Sequence, residues 1–150
     1  MTGSINPLLH HFCLIILRTV KHYFTEGSSP FICGGYGSSG STDLCYTYTA
    51  ALDEWVISGT MAEERGRSGY ASSDTWGLIM AGGYNYGSGS LASVETSYDG
   101  ESFASLPAMP DESRNSCLVV IDEENILKCG GLPTYTDTLM FSKSTNTWST

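Results

Sequence analysis

The sequence predicts an all-β fold, an incomplete β-propeller whose four-stranded antiparallel units repeat about an axis, and three observations carry the prediction. The pairs Gly34-Gly35, Gly82-Gly83 and Gly130-Gly131 recur at intervals of 48 residues. Trp55 and Phe103 keep that interval, as do Met61 and Met109, and Cys33, Ala81 and Cys129 each stand directly before a glycine pair. Between these marks lie short apolar runs punctuated by Gly, Ser, Asn and Asp, with no helical period in any window. A period of roughly 20 to 50 residues signals stacked supersecondary units.

Residues 1–30 fall outside the repeat. Leu8 to Leu17 is apolar but contains His10 and His11, and it has about half of the roughly 20 residues that a membrane-spanning helix needs. Arg18 and Lys21 follow this run, whereas a secretory leader carries its basic residues in front. The segment reads as a strand or short helix capping the folded part, or as an artefact of the gene model, with a non-standard leader as the alternative.

The repeats fill residues 31–150 in units of about 31–62, 67–110 and 114–150. The first unit shows its last three strands and lacks a first one unless residues 15–24 supply it. In the central unit Gly69 to Ser72 is the first strand, Ser73 to Thr75 a tight turn, and Trp76 to Ala81 an apolar second strand ending at the glycines. The loop Tyr84 to Ser90 follows, then a third strand from Ser93 to Tyr98, an Asp99-Gly100 hairpin turn, and a fourth strand from Ser102 to Ser105. The third unit repeats this as Cys117 to Ile121, a turn over Asp122 to Asn125, Ile126 to Cys129, Thr138 to Phe141, and Thr147 to Ser149.

A lone four-stranded sheet has two faces to bury, and its neighbours in a radial array cover both. Aromatics at a fixed phase supply that packing, and glycines after the second strand omit side chains where backbones approach or φ turns positive. These residues resemble kelch repeats. The family's unit has an Arg at its start, a Gly-Gly after the second strand, a Tyr on the third, a Trp about seven residues on, and a Met-Pro-like end. The central unit matches with Arg67, Gly82-Gly83, Tyr98, Phe103 in place of Trp, and Met109-Pro110; Phe103 follows Tyr98 by only five residues, implying a shortened turn. The first unit matches with Gly34-Gly35, Tyr48, Trp55 and Met61, and the third with Arg114, Gly130-Gly131, Phe141 for Tyr, and Trp148. The resemblance implies an incomplete kelch-type β-propeller of about two and a half blades. Propellers close with about four to eight blades, so the remaining blades or self-association are expected to complete the ring.

Seven Lys and Arg against 16 Asp and Glu leave a formal charge of −9, which repels phosphate backbones and anionic lipid, so neither nucleic acid nor membrane is an expected partner. The three histidines, His10, His11 and His22, precede the repeats. The repeat region thus offers no imidazole for a catalytic triad, general base or His-ligated metal, and no enzymatic activity, cofactor or metal is expected. Copper-oxidase propellers of kelch type use histidine ligands, so the resemblance to that branch fails. Five widely spaced cysteines without a CxxC read as reduced thiols, with Cys33 and Cys129 as small buried side chains and the pairing of Cys45 and Cys117 left open. No Asn-x-Ser/Thr sequon occurs, and a cytoplasmic location is expected over a secreted one. Asp122-Glu123-Glu124 reads as a solvated turn, and the Gly/Ser-rich loops Gly35 to Ser41 and Gly83 to Ser90 lack the GK[ST] of a phosphate cradle.

In a four-stranded blade, the second-to-third loop and the connection into the next blade emerge on one side. That side gathers Tyr36, Tyr84 and Tyr86 with Arg65, Arg67 and Arg114. Tyrosine and arginine are favoured at binding hot spots, and arginines collected in an acidic chain point to an acidic or carboxylate-bearing peptide. The bland reading is that Arg67 and Arg114 hold the start of each first strand by bonding backbone carbonyls. The resemblance implies protein–protein interaction through this face, as in substrate-recognition subunits of ubiquitin ligases. The alternative is a secreted or sugar-directed propeller, lectin-like or enzymatic, whose tyrosines stack on sugars.

Overall fold

The computed structural model describes residues 29–150. Residues 1–28 lie outside the described residues, and with them the three histidines, Cys13 and the candidate first strand over 15–24. The described residues are all-β. In the first unit β1 (Phe31–Cys33) is followed by the two-residue strands β2 (Tyr36–Gly37) and β3 (Gly40–Ser41), then by β4 (Leu44–Thr49) and β5 (Glu54–Thr60). The second unit contains β6 (Gly69–Ser73), β7 (Gly77–Ala81), β8 (Tyr84–Asn85), β9 (Gly89–Ser90), β10 (Val94–Ser97) and β11 (Ala104–Leu106). The third contains β12 (Cys117–Val120), β13 (Asn125–Cys129), β14 (Thr138–Ser142) and β15 (Thr147–Ser149).

Each unit forms one open antiparallel sheet by simple meandering. The second and third sheets have four strands, in the orders β6-β7-β10-β11 and β12-β13-β14-β15, and the first has three, β1-β4-β5. Inside the second-to-third loops, read from the sequence as plain loops, β2 pairs with β3 and β8 with β9 as miniature hairpins. Gly40 and Gly89 hold φ of 132° and 98°, values a side chain resists, and Asn85 Oδ1 accepts the N–H of Gly87 at 2.7 Å to tighten the second reversal.

The glycine pairs adopt one conformation three times over: φ is 70°, 62° and 60° at the first glycine and 108°, 116° and 107° at the second. The first two pairs receive the chain entering the next unit. Gly35 N–H donates to Arg65 O and Gly83 N–H to Ser113 O, both at 2.8 Å. A Cβ on Gly82 would sit 2.2 Å from Ser113 O, so only glycine lets the two backbones meet.

Strand alternation sends the second sheet's two faces into different cores. Leu78 and Met80 of β7 join Tyr70 on one face against Phe31, Cys33, Cys45 and Met61 of the first unit. Ile79 and Ala81 join Val94 on the other face against Leu118, Ile126, Leu139 and Phe141 of the third sheet. Every residue of β7 is therefore buried, as in a strand sandwiched between layers. Truncating one such side chain, Ile79 for instance, removes about 2–5 kcal/mol. The first strands β6 and β12 run close together, and the other strands of these two sheets do not approach each other comparably. On the far side of the third sheet Val119 and Met140 are exposed and Leu127 half-buried. Val119, Leu127 and Met140 face one another across the third sheet as Ala71, Ile79 and Thr96 do across the second, where the third sheet covers that face.

The aromatic signature holds in two units and slips in the third case. Tyr48 and Trp55 are register partners with rings 5.6 Å apart, and Phe141 and Trp148 are partners at 5.3 Å. In the second sheet the equivalent of Tyr48 is Ser97, since Ser97 opposes Leu78 as Phe141 opposes Ile126. Tyr98, expected on the third strand, lies one residue beyond it, 55% exposed, with its hydroxyl donating to Thr75 O at 2.5 Å. The shortened turn explains the slip. Asp99 Oδ1 accepts the N–H groups of Glu101 and Ser102 at 2.8 and 2.9 Å, closing the loop early and leaving Phe103 just ahead of β11.

One cysteine expectation is corrected: Cys33 and Cys45 are joined by a disulfide. They are cross-strand partners in β1 and β4, so their side chains leave the same face at adjacent positions, a relation that spacing of 12 residues does not reveal. Cys117 and Cys129 are free, and Cys129 is half-buried where a buried side chain was expected.

Candidate recognition face

Arg65 does not belong to the exposed face. Its side chain is fully buried and its Nη2 donates to Glu95 Oε1 at 2.5 Å, with Glu63 Oε2 more distant at 3.5 Å. Nη1 donates to the carbonyls of Gly82 and Ser93 at 3.0 and 3.1 Å, and Nη2 also reaches Ser93 Oγ at 2.8 Å. Glu95 in turn accepts the Ala62 N–H at 2.9 Å. Arg65 thus ties the connection leaving the first sheet to β7 and β10 of the second, and the carbonyl-bonding role considered for Arg67 and Arg114 falls to it. Its partner Glu95 escaped the sequence reading; the one signal was an acid inside the otherwise uncharged stretch of β10.

Arg67 and Arg114 are also not equivalent to each other. Gly66 bridges Tyr84 as Arg114 bridges Leu132, 48 residues later in both partners. Arg67 corresponds instead to Asn115, and the two share a left-handed backbone with φ of 58° and 57°. Despite the one-residue offset, the two guanidinium groups reach equivalent tyrosines, Tyr36 and Tyr84, which stand 48 residues apart.

Those tyrosines do converge. The Tyr36 and Tyr86 rings meet edge-on at 5.3 Å, and Tyr86 meets Tyr84 edge-on at 5.8 Å. The Arg67 guanidinium lies 5.5 Å from the Tyr36 ring centre and that of Arg114 lies 5.0 Å from the Tyr84 ring centre. The result is a row: Arg67, Tyr36, Tyr86, Tyr84, Arg114. It is built by both miniature hairpins, β2–β3 carrying Tyr36 and β8–β9 leading into Tyr86. Ser41 Oγ accepts the Tyr86 N–H at 3.2 Å and so clips one hairpin to the other. Gly66 has no side chain because the Tyr36 ring lies where a Cβ would be, 2.6 Å away. Arg114 is steadied by Ser90 Oγ at 2.7 Å, a partner the sequence did not single out.

Electrostatically the row is cationic at both ends. Among the described residues neither Arg67 nor Arg114 is in an ion pair. Burial raises the Tyr36 pKa above the usual phenol value, and the nearby Arg67 charge opposes that shift only in part. Tyr36 therefore stays protonated through neutral pH. Tyr86 is 65% exposed. Among the described residues no cluster of three or more metal-ligating side chains occurs. No family model matches the sequence, and no curated protein matches it either.

Proposed function

We propose that the chain is a kelch-type propeller segment that binds an acidic peptide across the row of Arg67, Tyr36, Tyr86, Tyr84 and Arg114. The carrying observation is that both arginines lack a carboxylate partner among the described residues while the chain as a whole bears −9. Stacking on tyrosine holds each guanidinium in place, leaving the N–H fork of Arg67 and the Nη2 of Arg114, whose Nη1 bonds Ser90, for a carboxylate from outside. The three tyrosines between them give an aromatic floor for the peptide's apolar or backbone parts, with few rotors to immobilise. Repetition of the same sheet, the shared glycine conformations and the convergence of β6 and β12 support the propeller part of this reading. In that arrangement a further blade covers the exposed face around Val119 and Met140.

The test is fluorescence anisotropy with Asp/Glu-rich peptides and their Asn/Gln counterparts. Replacing Arg67 and Arg114 together by alanine is expected to leave the β-sheet circular dichroism unchanged and to weaken binding by about 30-fold or more, at roughly 1–2 kcal/mol per charge-assisted contact. Equal binding of the amide peptides, or unchanged affinity in the double variant, would refute the proposal. Arginine-independent binding of a neutral oligosaccharide would move the reading to a sugar-directed propeller.

A further inference from the structure

Cys117 and Cys129 are register partners in β12 and β13, so both side chains leave the same, outward face of the third sheet. Ile121 N–H bonds Asn125 O at 3.0 Å, and the antiparallel pattern repeats every two residues, making Cys117 and Cys129 a hydrogen-bonded pair. The Cα atoms of such a pair lie about 5.5 Å apart. Disulfides span roughly 4.4–6.8 Å between Cα atoms, and closing this one must draw the Cβ atoms together from about 5.5 Å to about 4 Å. The chain holds one disulfide elsewhere: Cys33, in the same place before a glycine pair as Cys129, is bonded to Cys45 across β1 and β4, where the third sheet has Thr138 as the counterpart of Cys45. That bond is sealed, with both residues buried, whereas Cys117 is exposed and Cys129 half-buried. Lys128, next to Cys129 in β13, points to the buried face and stays out of the way.

We propose that Cys117 and Cys129 are a modification site: a reversible dithiol–disulfide pair that exchanges with glutathione. The thiolate of one cysteine attacks glutathione disulfide, forming a mixed disulfide and releasing one glutathione thiolate, which takes up a proton. The second cysteine's thiolate then attacks the protein-bound sulfur of that mixed disulfide and expels the second glutathione. The two cysteines lose two electrons and two protons, and glutathione disulfide becomes two glutathione thiols. Oxidation staples β12 to β13 on the face that carries Val119, Leu127 and Met140, so the sheet's outer surface changes with redox state. The inference does not rest on the peptide-binding row, and it applies to the third sheet's outer face while that face is open, because a further blade over Val119 and Met140 would shield both thiols.

Tryptic mapping without reduction tests it, because cleavage at Arg114, Lys128 and Lys143 puts the two cysteines on separate peptides, 115–128 and 129–143, while Cys33 and Cys45 share the peptide 22–65. Equilibration of the full chain with excess glutathione disulfide should yield 115–128 cross-linked to 129–143. Excess dithiothreitol should return both cysteines to full alkylation. Cys117→Ser should abolish the cross-link and leave Cys129 as a glutathione adduct. Complete alkylation of both cysteines after the oxidised equilibration, separate glutathione adducts without a cross-link, or a cross-link from Cys117 to another cysteine would each overturn the proposal.

Discussion

Replacing Arg65 by alanine removes the cation from a pocket in which its side chain is fully buried and that of Glu95 nearly so. The Glu95 carboxylate would keep one donor, the Ala62 N–H, and lose its ion pair. The carbonyls of Gly82 and Ser93 would lose their guanidinium donor at the same time. Breaking a buried pair by deleting one partner costs about 3–5 kcal/mol, because the remaining charge has neither water nor a counter-ion. With a urea slope of about 2 kcal/mol per M, the unfolding midpoint should fall by roughly 1.5–2.5 M. That is a large share of the roughly 5–15 kcal/mol of a typical domain, so the single variant is measured beside Arg65→Met with Glu95→Leu. Removing both charges with apolar side chains of similar length should restore at least half of the loss. The assay is urea denaturation at pH 7 followed by tryptophan fluorescence. A loss below about 1 kcal/mol for Arg65→Ala, the size of a solvent-exposed pair, would refute the assignment of a buried ionic tie. So would a double variant no more stable than the single one.

Two further outcomes follow from the geometry. Gly82→Ala should lower the thermal midpoint sharply, since its Cβ would sit 2.2 Å from Ser113 O at a φ of 62°, whereas Gly37→Ala, with nothing within 4 Å, should be neutral or slightly stabilising; calorimetry on both separates backbone crowding from loss of glycine as such. Backbone N–H bonds from Ser102 and Glu101 depress the Asp99 pKa, and Asn125 and Glu124 depress that of Asp122. A depressed carboxylate stabilises the fold above its unfolded pKa of about 3.9 and loses that contribution as pH falls through the folded value, so stability should be level from neutral pH to about 5 and decline below about 4. Asp99→Asn should flatten that acid limb in urea titrations, and an unchanged limb would sink the assignment.

Much of the fold was legible because it is written in local chemistry. Three glycine pairs mark three places where backbones touch, and no other residue tolerates φ near +60° and +110° in succession at such contacts. The strands of the third unit fall within a residue of their expected ends, since apolar alternation and Asp/Asn turns act over a few residues. The row of tyrosines was legible for the same reason: Tyr36, Tyr84 and Tyr86 lie in loops whose side of the sheet follows from strand count. The charged residues were harder. Arg65 and Arg67 are two positions apart in the chain, and one is sealed against Glu95 while the other is exposed beside Tyr36.

Strand positions, the repeat and the glycine contacts follow from short-range rules of backbone geometry and turn chemistry, and a linear chain displays them openly. Burial, by contrast, depends on what another sheet brings to a position. That is why the arginine taken inside, the slip of Tyr98 past its strand, the bonding of Cys33 to Cys45 and the facing of Cys117 with Cys129 emerge only once sheets pack and strands find register. Desolvation and cross-strand distance are properties of pairs of surfaces, and no single stretch of residues contains them.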